Sequence, residues 1–280
     1  MSKILILGSG PAALAAAEIV QTLGYVPTII SKKVKSPIFG CQYLHAPVPG
    51  LVGSVGDFEI NSAHVTYSLV GGTPEEYKQK VYGDRWGGSV SPEDLEDDHI
   101  AFDLRATYDF LWAKWSPLVI DHEITDYNDL ERFIVQDSKA TMSLLDYDLI
   151  ISTVPRTIWK QPGDTFSKIE AWAFGDAPGI QGVPFKPEED NTIICDAGKS
   201  PSWYRLARVF DHTTIEWPDG KKPPLEGVSK LTKPLAYHPG TAPNMTNGER
   251  WMHIGRYGEW KKGVLLSDTF EQVFTRVLDL

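Results

Sequence analysis

Six residues near the start of the chain, Gly8-Ser9-Gly10-Pro11-Ala12-Ala13, have the types and spacing needed to hold a dinucleotide. Gly8 permits a tight turn, Gly10 lets the backbone approach a pyrophosphate, and the small Ala13 lets a helix pack closely on a strand. The helix N-terminus adds amide donors and a positive dipole for the phosphates. Such a hexapeptide is weak evidence alone. Here the buried-type run Lys3-Ile-Leu-Ile-Leu7 leads into it and an alanine-rich helix, Pro11 to Leu23, leads out, and that context makes the signal strong.

A second chemical position follows. In a nicotinamide-binding unit an acidic residue ending the second strand holds the adenine ribose. Counted from Gly8, that place falls on Ser31, followed by Lys32 and Lys33. Two readings are open. The Ser-Lys-Lys run could receive the 2′-phosphate of NADPH, or Ser31 could bind a ribose hydroxyl while a lysine approaches the pyrophosphate of FAD.

These residues need elements to position them. Tyr25-Val-Pro-Thr-Ile-Ile30 reads as the second strand of a βαβ unit, and residues 35–56, rich in Pro and Gly, as an extended loop. Thr73-Pro74-Glu75-Glu76 is a helix-start signal, and a helical pattern runs from Phe102 to Trp115. Asp146 to Pro155 reads as another buried parallel strand, and residues 167–175, 191–196 and 203–217 as antiparallel strands of a second sheet. Lys221–Pro243, with five prolines, is expected to be loop. Trp251–Ile254 reads as a short strand, and Leu266, Phe270, Val273, Phe274 and Val277 recur at helical spacing. The expected fold is α/β: a Rossmann-like domain (1–60, 117–160 and 245–280), a helical insertion (61–116) and a smaller antiparallel-sheet substrate portion (161–244).

The 280 residues carry a formal net charge of −10, with 42% hydrophobic and 23% charged residues. That composition is ordinary for a globular protein and argues against a broad basic face gripping nucleic acid non-specifically. No apolar run approaches the roughly 20 residues that span a bilayer, and no signal peptide is read at the start, so a cytoplasmic location is expected. The two cysteines, Cys41 and Cys195, lie far apart without metal-ligand spacing. The acidic run Glu93–Asp98 reads as a solvated face, and no metal is expected. Nine tryptophans suggest aromatic walls.

Several further segments carry a family likeness. Lys32-Lys33 and then Gly40-Cys41-Gln42, Asp148-Leu-Ile-Ile-Ser-Thr153-Val-Pro155, Ser202-Trp-Tyr204-Arg205 running on to Thr214-Ile-Glu216-Trp-Pro218, and His253-Ile-Gly255-Arg256-Tyr257-Gly258-Glu259-Trp260 before Val264-Leu265 stand in suitable order. Together they resemble the FAD-binding oxidoreductase superfamily with the glutathione-reductase type of fold. Within it they are most similar to UDP-galactopyranose mutase, to amine oxidases and to compact FAD-binding oxidoreductases of phage and actinobacterial genomes.

The resemblance implies that Gly40, Cys41 and Gln42 pass the ribityl chain, that Thr153 ends a strand returning to the FAD domain, and that Gly255 and Arg256 meet the phosphates. It also implies a helix N-terminus at Val264-Leu265 near the flavin. Arginine is a good bidentate partner for pyrophosphate, and a helix N-terminus suits the negative charge of a reduced flavin. Candidate substrate-side residues are His45, a possible base, Tyr204 and Arg205, and Tyr257 and Trp260 as walls of the ring. Gly175-Asp176 also resembles a ribityl-binding motif, and Cys41 could be an attachment point.

The function implied is a FAD-dependent oxidoreductase acting on an amine or alcohol carbon of a small or nucleotide-linked substrate. A flavin-dependent mutase, an NADPH-binding reductase, an enzyme modifying a nucleotide or DNA base, and a non-catalytic nucleotide-binding module stand as alternatives.

Overall fold

The structure is a computed structural model describing residues 2–40, 42–51, 59–92, 95, 98–137, 143–174, 190–242, 246 and 248–280. The first strand, β1 (Ile4–Leu7), is buried on both faces, as a central parallel strand must be. Ile4 and Ile6 join one core, and Leu5 and Leu7 join the core on the opposite face. Helix α1 (Pro11–Thr22) follows, started by a proline in its first turn. Ala13 to Ala17 are all fully buried, which lets the helix axis approach the sheet.

β1 lies at the centre of a five-stranded parallel sheet with β2 (Pro27–Ser31), β5 (Val119–Asp121), β6 (Leu149–Ser152) and β12 (Trp251–His253). The order is β12-β6-β1-β2-β5, and every pairing is parallel. One face is covered by α1, α3 (Leu104–Trp115) and α6 (Leu266–Leu278). The other is covered by α4 (Tyr127–Asp137) and the segment around Trp159. Buried Glu18 of α1 is met by Lys114 (2.7 Å) and by the Trp115 indole (3.1 Å), tying α1 to α3.

A second sheet, in the order β11-β7-β10-β9-β8-β3-β4, is built from β3 (Ser62–Val70), β4 (Asp98–Phe102), β7 (Thr165–Phe174), β8 (Thr192–Asp196), β9 (Arg205–Val209), β10 (His212–Pro218) and β11 (Ser229–His238). It is antiparallel except where β3 pairs with β8. Helix α2 (Pro74–Tyr82) starts with a capping box in which Thr73 and Glu76 each accept the other's backbone N–H. Among the described residues no helix is long and apolar enough to cross a membrane.

Two expectations are corrected. Residues 61–116 are not purely helical, because β3 and β4 give the second sheet two of its strands. Residues 229–238, expected as loop, form β11. Pro234 is tolerated there because β11 is an edge strand with a register shift between Pro234 and Ala236.

Candidate cofactor and substrate site

Gly8 leaves β1 at φ +113°, a conformation open mainly to glycine, and a Cβ there would fall 2.2 Å from Thr153 Oγ1. Thr153 is held against the same turn: its backbone N–H (2.9 Å) and its hydroxyl (3.0 Å) both donate to the Leu7 carbonyl. Gly10 is the N-cap of α1. Its position has open space around it, no side chain caps the helix, and no acidic residue stands in the first turn. The first-turn N–H groups of Ala12 and Ala13 are therefore available to an anion, while Pro11 has no N–H to offer.

The end of the neighbouring strand β2 lies beside this turn. The Ser9 and Ser31 hydroxyls share a buried hydrogen bond of 2.9 Å, and Tyr108 donates to the Ser9 carbonyl (2.9 Å). Lys32 pairs with Glu123 at 3.0 Å, and the Lys33 backbone N–H donates to Asp121 (2.8 Å). Two carboxylates thus stand beside the lysines.

The Gly255 segment lies beside the Gly8–Ala13 turn. β12 pairs with β6, and the chain then turns through Gly255 (φ +72°), whose added Cβ would lie 3.1 Å from the Ala12 Cβ. The short helix α5 (Gly255–Glu259) crosses the end of β6 so closely that a Cβ on Gly258 would meet the Ser152 carbonyl at 2.7 Å. Gly8, Ala12, Thr153 and Gly255 therefore surround one point at the end of the parallel sheet. Val264 and Leu265 precede α6, where the Leu265 N–H donates to Asp268 (2.9 Å), so that helix start already holds a carboxylate.

On the side of the second sheet lies a buried ionic cluster. Glu216 on β10 stands opposite Arg205 on β9. Tyr204 donates to Glu216 through a short hydrogen bond, and Lys233 Nζ donates to both Glu216 and Tyr204 at 2.6 Å. Burial alone would raise the Glu216 carboxyl, but Lys233, then Arg205, and the hydrogen bonds hold it at about 2. Burial pushes Lys233 down to about 8, against the pull of Glu216, with Arg205 and Arg256 adding to the drop. Arg205 also donates to Tyr77 (3.3 Å). The buried Gly40 lies over the cluster, since a Cβ there would fall 2.3 Å from Glu216 Oε1. Its φ of +74° is the second reason for glycine. Arg105 donates to the Gly40 carbonyl (3.3 Å) and Gln42 to the Phe39 carbonyl (2.6 Å), holding this loop.

The remaining candidates are spread more widely. His45 is exposed at a ring cluster with Tyr43 (4.6 Å) and His99 (5.9 Å). Partial burial and then His99 lower its pKa, against Asp268. Trp260 is buried, its indole donating to the Ser167 carbonyl (3.1 Å), and Tyr257 donates to the Thr232 carbonyl (2.8 Å). Both aromatic residues tie α5 to the second sheet. Cys41, Gly175 and Asp176, with most of the Glu93–Asp98 run, lie outside the described residues.

Lys233, Tyr77 and Tyr82 were not singled out from the sequence, and Glu216 entered only through the resemblance. The available signal was a lysine inside an otherwise β-like stretch, Lys230 to Tyr237, which its proline disguised.

No family model matches the chain, and no curated protein matches it. Solved structures do. Reduced UDP-galactopyranose mutase superposes with a TM-score of 0.54 at 13% identity, covering 99% of this chain and 95% of that one. A flavin-dependent brominase gives 0.54 at 11% identity, covering 99% and 77%. A flavin-dependent halogenase from Xanthomonas campestris gives 0.52 at 10% identity, covering 99% and 70%. The chain shares with these proteins a fold in which a Rossmann-like parallel sheet carries a second, mixed sheet beside it.

Proposed function

We propose that this protein is a FAD-dependent oxidoreductase that oxidises an amine or alcohol carbon of a small or nucleotide-linked substrate. The observation that carries the reading is the convergence of Gly8, Gly10, Thr153 and Gly255 on the uncapped start of α1. A lone nicotinamide-binding unit has no need of the distant Gly255-Arg256 segment. The shared fold with flavin-dependent enzymes supports the same reading.

The residues present fit the cofactor. Gly10 leaves room for a pyrophosphate against the α1 amides, Ser9 and Ser31 offer hydroxyls to a ribose, and Arg256 follows Gly255 as a guanidinium for phosphate or ring. When bound, FAD supplies a two-electron acceptor for a hydride. The chain's own part is to bind and orient: Gly40 holds its loop across the second sheet, and the Glu216–Lys233–Tyr204 cluster sets the charge beneath that loop. The NADPH alternative is weakened because Lys32 is already paired with Glu123 and Asp121 stands beside Lys33. A 2′-phosphate would meet both acids.

The test is the visible spectrum of the purified protein before and after denaturation, followed by anaerobic addition of candidate donors. Near-equimolar released flavin that a donor bleaches supports the proposal. A colourless protein that takes no FAD, or a flavin that must first be reduced chemically before turnover begins, overturns it.

A further inference from the structure

We propose that the cationic cluster on β9, β10 and β11, with the cavity beside it, receives an oxyanion (a carboxylate or phosphate) carried by the substrate. The proposal rests on the flavoenzyme reading only in calling the ligand a substrate. The anion site itself stands on this chain's own charges.

Arg205 stands opposite Glu216 and Lys233 donates to it, while Arg256 lies on α5, whose Tyr257 donates to the Thr232 carbonyl next to Lys233; Glu216 is the carboxylate among these three cations. That leaves two positive charges in excess among the described residues, inside a protein whose net charge is −10. The Nε–H groups of Arg205 and Arg256 are both buried without a hydrogen-bond partner. A buried charged donor left unpaired is costly, and an arriving anion removes that cost.

The approach to the cluster is also cationic. A cavity of about 420 Å³ is lined by Trp86, Leu235, Tyr237, Glu259, Lys261 and Lys262. Lys262 Nζ lies 3.4 Å from the centre of the Trp86 ring and 5.0 Å from that of Tyr82. The Tyr82 and Trp86 rings are 4.8 Å apart, and both pack against the core that holds Tyr77 and Tyr204, the phenols bonded to Arg205 and Glu216. These two rings therefore link the cavity to the cluster. Glu259 brings one carboxylate to this lining beside the two lysines, and burial raises its pKa. Lysines beside aromatic walls favour small anions at this cavity.

The test titrates the purified protein calorimetrically with benzoate, phenyl phosphate and the neutral benzamide, at low and at raised salt. Benzoate or phenyl phosphate is expected to bind about tenfold tighter than benzamide and to weaken with salt, since the difference is one of charge. The tighter of the two identifies the oxyanion as carboxylate or phosphate. Lys262→Gln, at the cavity, and Arg205→Gln, in the cluster, should each weaken the anion several-fold. The cavity variant keeps the test valid if the buried one fails to fold.

Equal binding of benzamide, indifference of the anion to Lys262→Gln, or displacement of benzoate by ADP, which would mark a cofactor phosphate site, overturns the proposal. Anion binding that survives in a protein unable to take FAD supports the anion site and refutes the flavoenzyme reading, so the two fail separately.

Discussion

Replacing Lys233 with methionine isolates the energetics of the cluster. The side chains of Lys233 and Glu216 are 14% and 4% exposed, so solvent screens their 2.6 Å contact little. Glu216 titrates at about 2 against an ordinary 4.5. At about 1.4 kcal/mol per pKa unit, that difference stabilises the fold by about 3 kcal/mol at neutral pH. Lys233, at about 8 against an ordinary 10.5, costs a similar amount. Burial penalises both charges and their mutual attraction offsets that penalty, so neither partner can be removed alone. Lys233→Met leaves Glu216 charged and buried, and should cost about 3 kcal/mol, in line with the 3–5 kcal/mol of other broken buried pairs. The double variant Lys233→Met/Glu216→Gln should recover most of that loss. Urea denaturation of the wild type, both single variants and the double variant at pH 7 closes the cycle. A loss below about 1 kcal/mol for Lys233→Met, or a double variant no better than the single one, would refute the reasoning.

Gly10→Asp should leave the thermal midpoint unchanged or slightly raised, because aspartate is a good N-cap and its Cβ meets open space. It should also weaken FAD binding by about a hundredfold or more, by setting a carboxylate at the proposed pyrophosphate site, as read by flavin fluorescence titration. Lys233, facing Glu216, Tyr204, Arg205 and Arg256, loses its proton as the pH rises through about 8. Calorimetric affinity for benzoate should therefore fall between pH 7 and 9, and the fall should be absent in Lys233→Met. Burial, then Arg156, holds His253 at about 3, below its usual 6.5. The unfolded chain binds more protons in that window, so His253 contributes a loss of stability as the pH drops from 6.5 towards 3. Its ring NMR signals should not shift between pH 8 and 5.

The first strand–turn–helix was legible because it is local: strand, turn and helix occupy Ile4 to Thr22. Gly255 could be paired with it only through a family likeness, since some 240 residues separate it from Ala12. The ionic cluster was hidden for a different reason. Tyr204, Arg205, Glu216 and Lys233 meet through the registers of four strands, β11, β7, β10 and β9, which neither periodicity nor composition encodes. Pro234 further disguised β11, because a proline is compatible with an edge strand and incompatible with a central one, and edge status belongs to the whole sheet. The strands in 61–116 were missed because their short alternating runs flank strong helix signals at Thr73 and Asp103, which dominated the reading.

The pairing of β12 with β6, and of α6 with α1, has a consequence for synthesis. Leu14, Val20 and the other core positions of α1 share their core with Phe270, Val273 and Val277. A ribosome reaches those three residues about 250 residues after it has finished the helix they cover. Until then the β6 edge has no β12 beside it, and part of the α1 surface faces water or a chaperone. A chain released before Trp251 would carry an intact glycine-rich turn with no closing segment and an open strand edge. Quality control that recognises exposed apolar surface would therefore remove nascent chains that cannot complete the site.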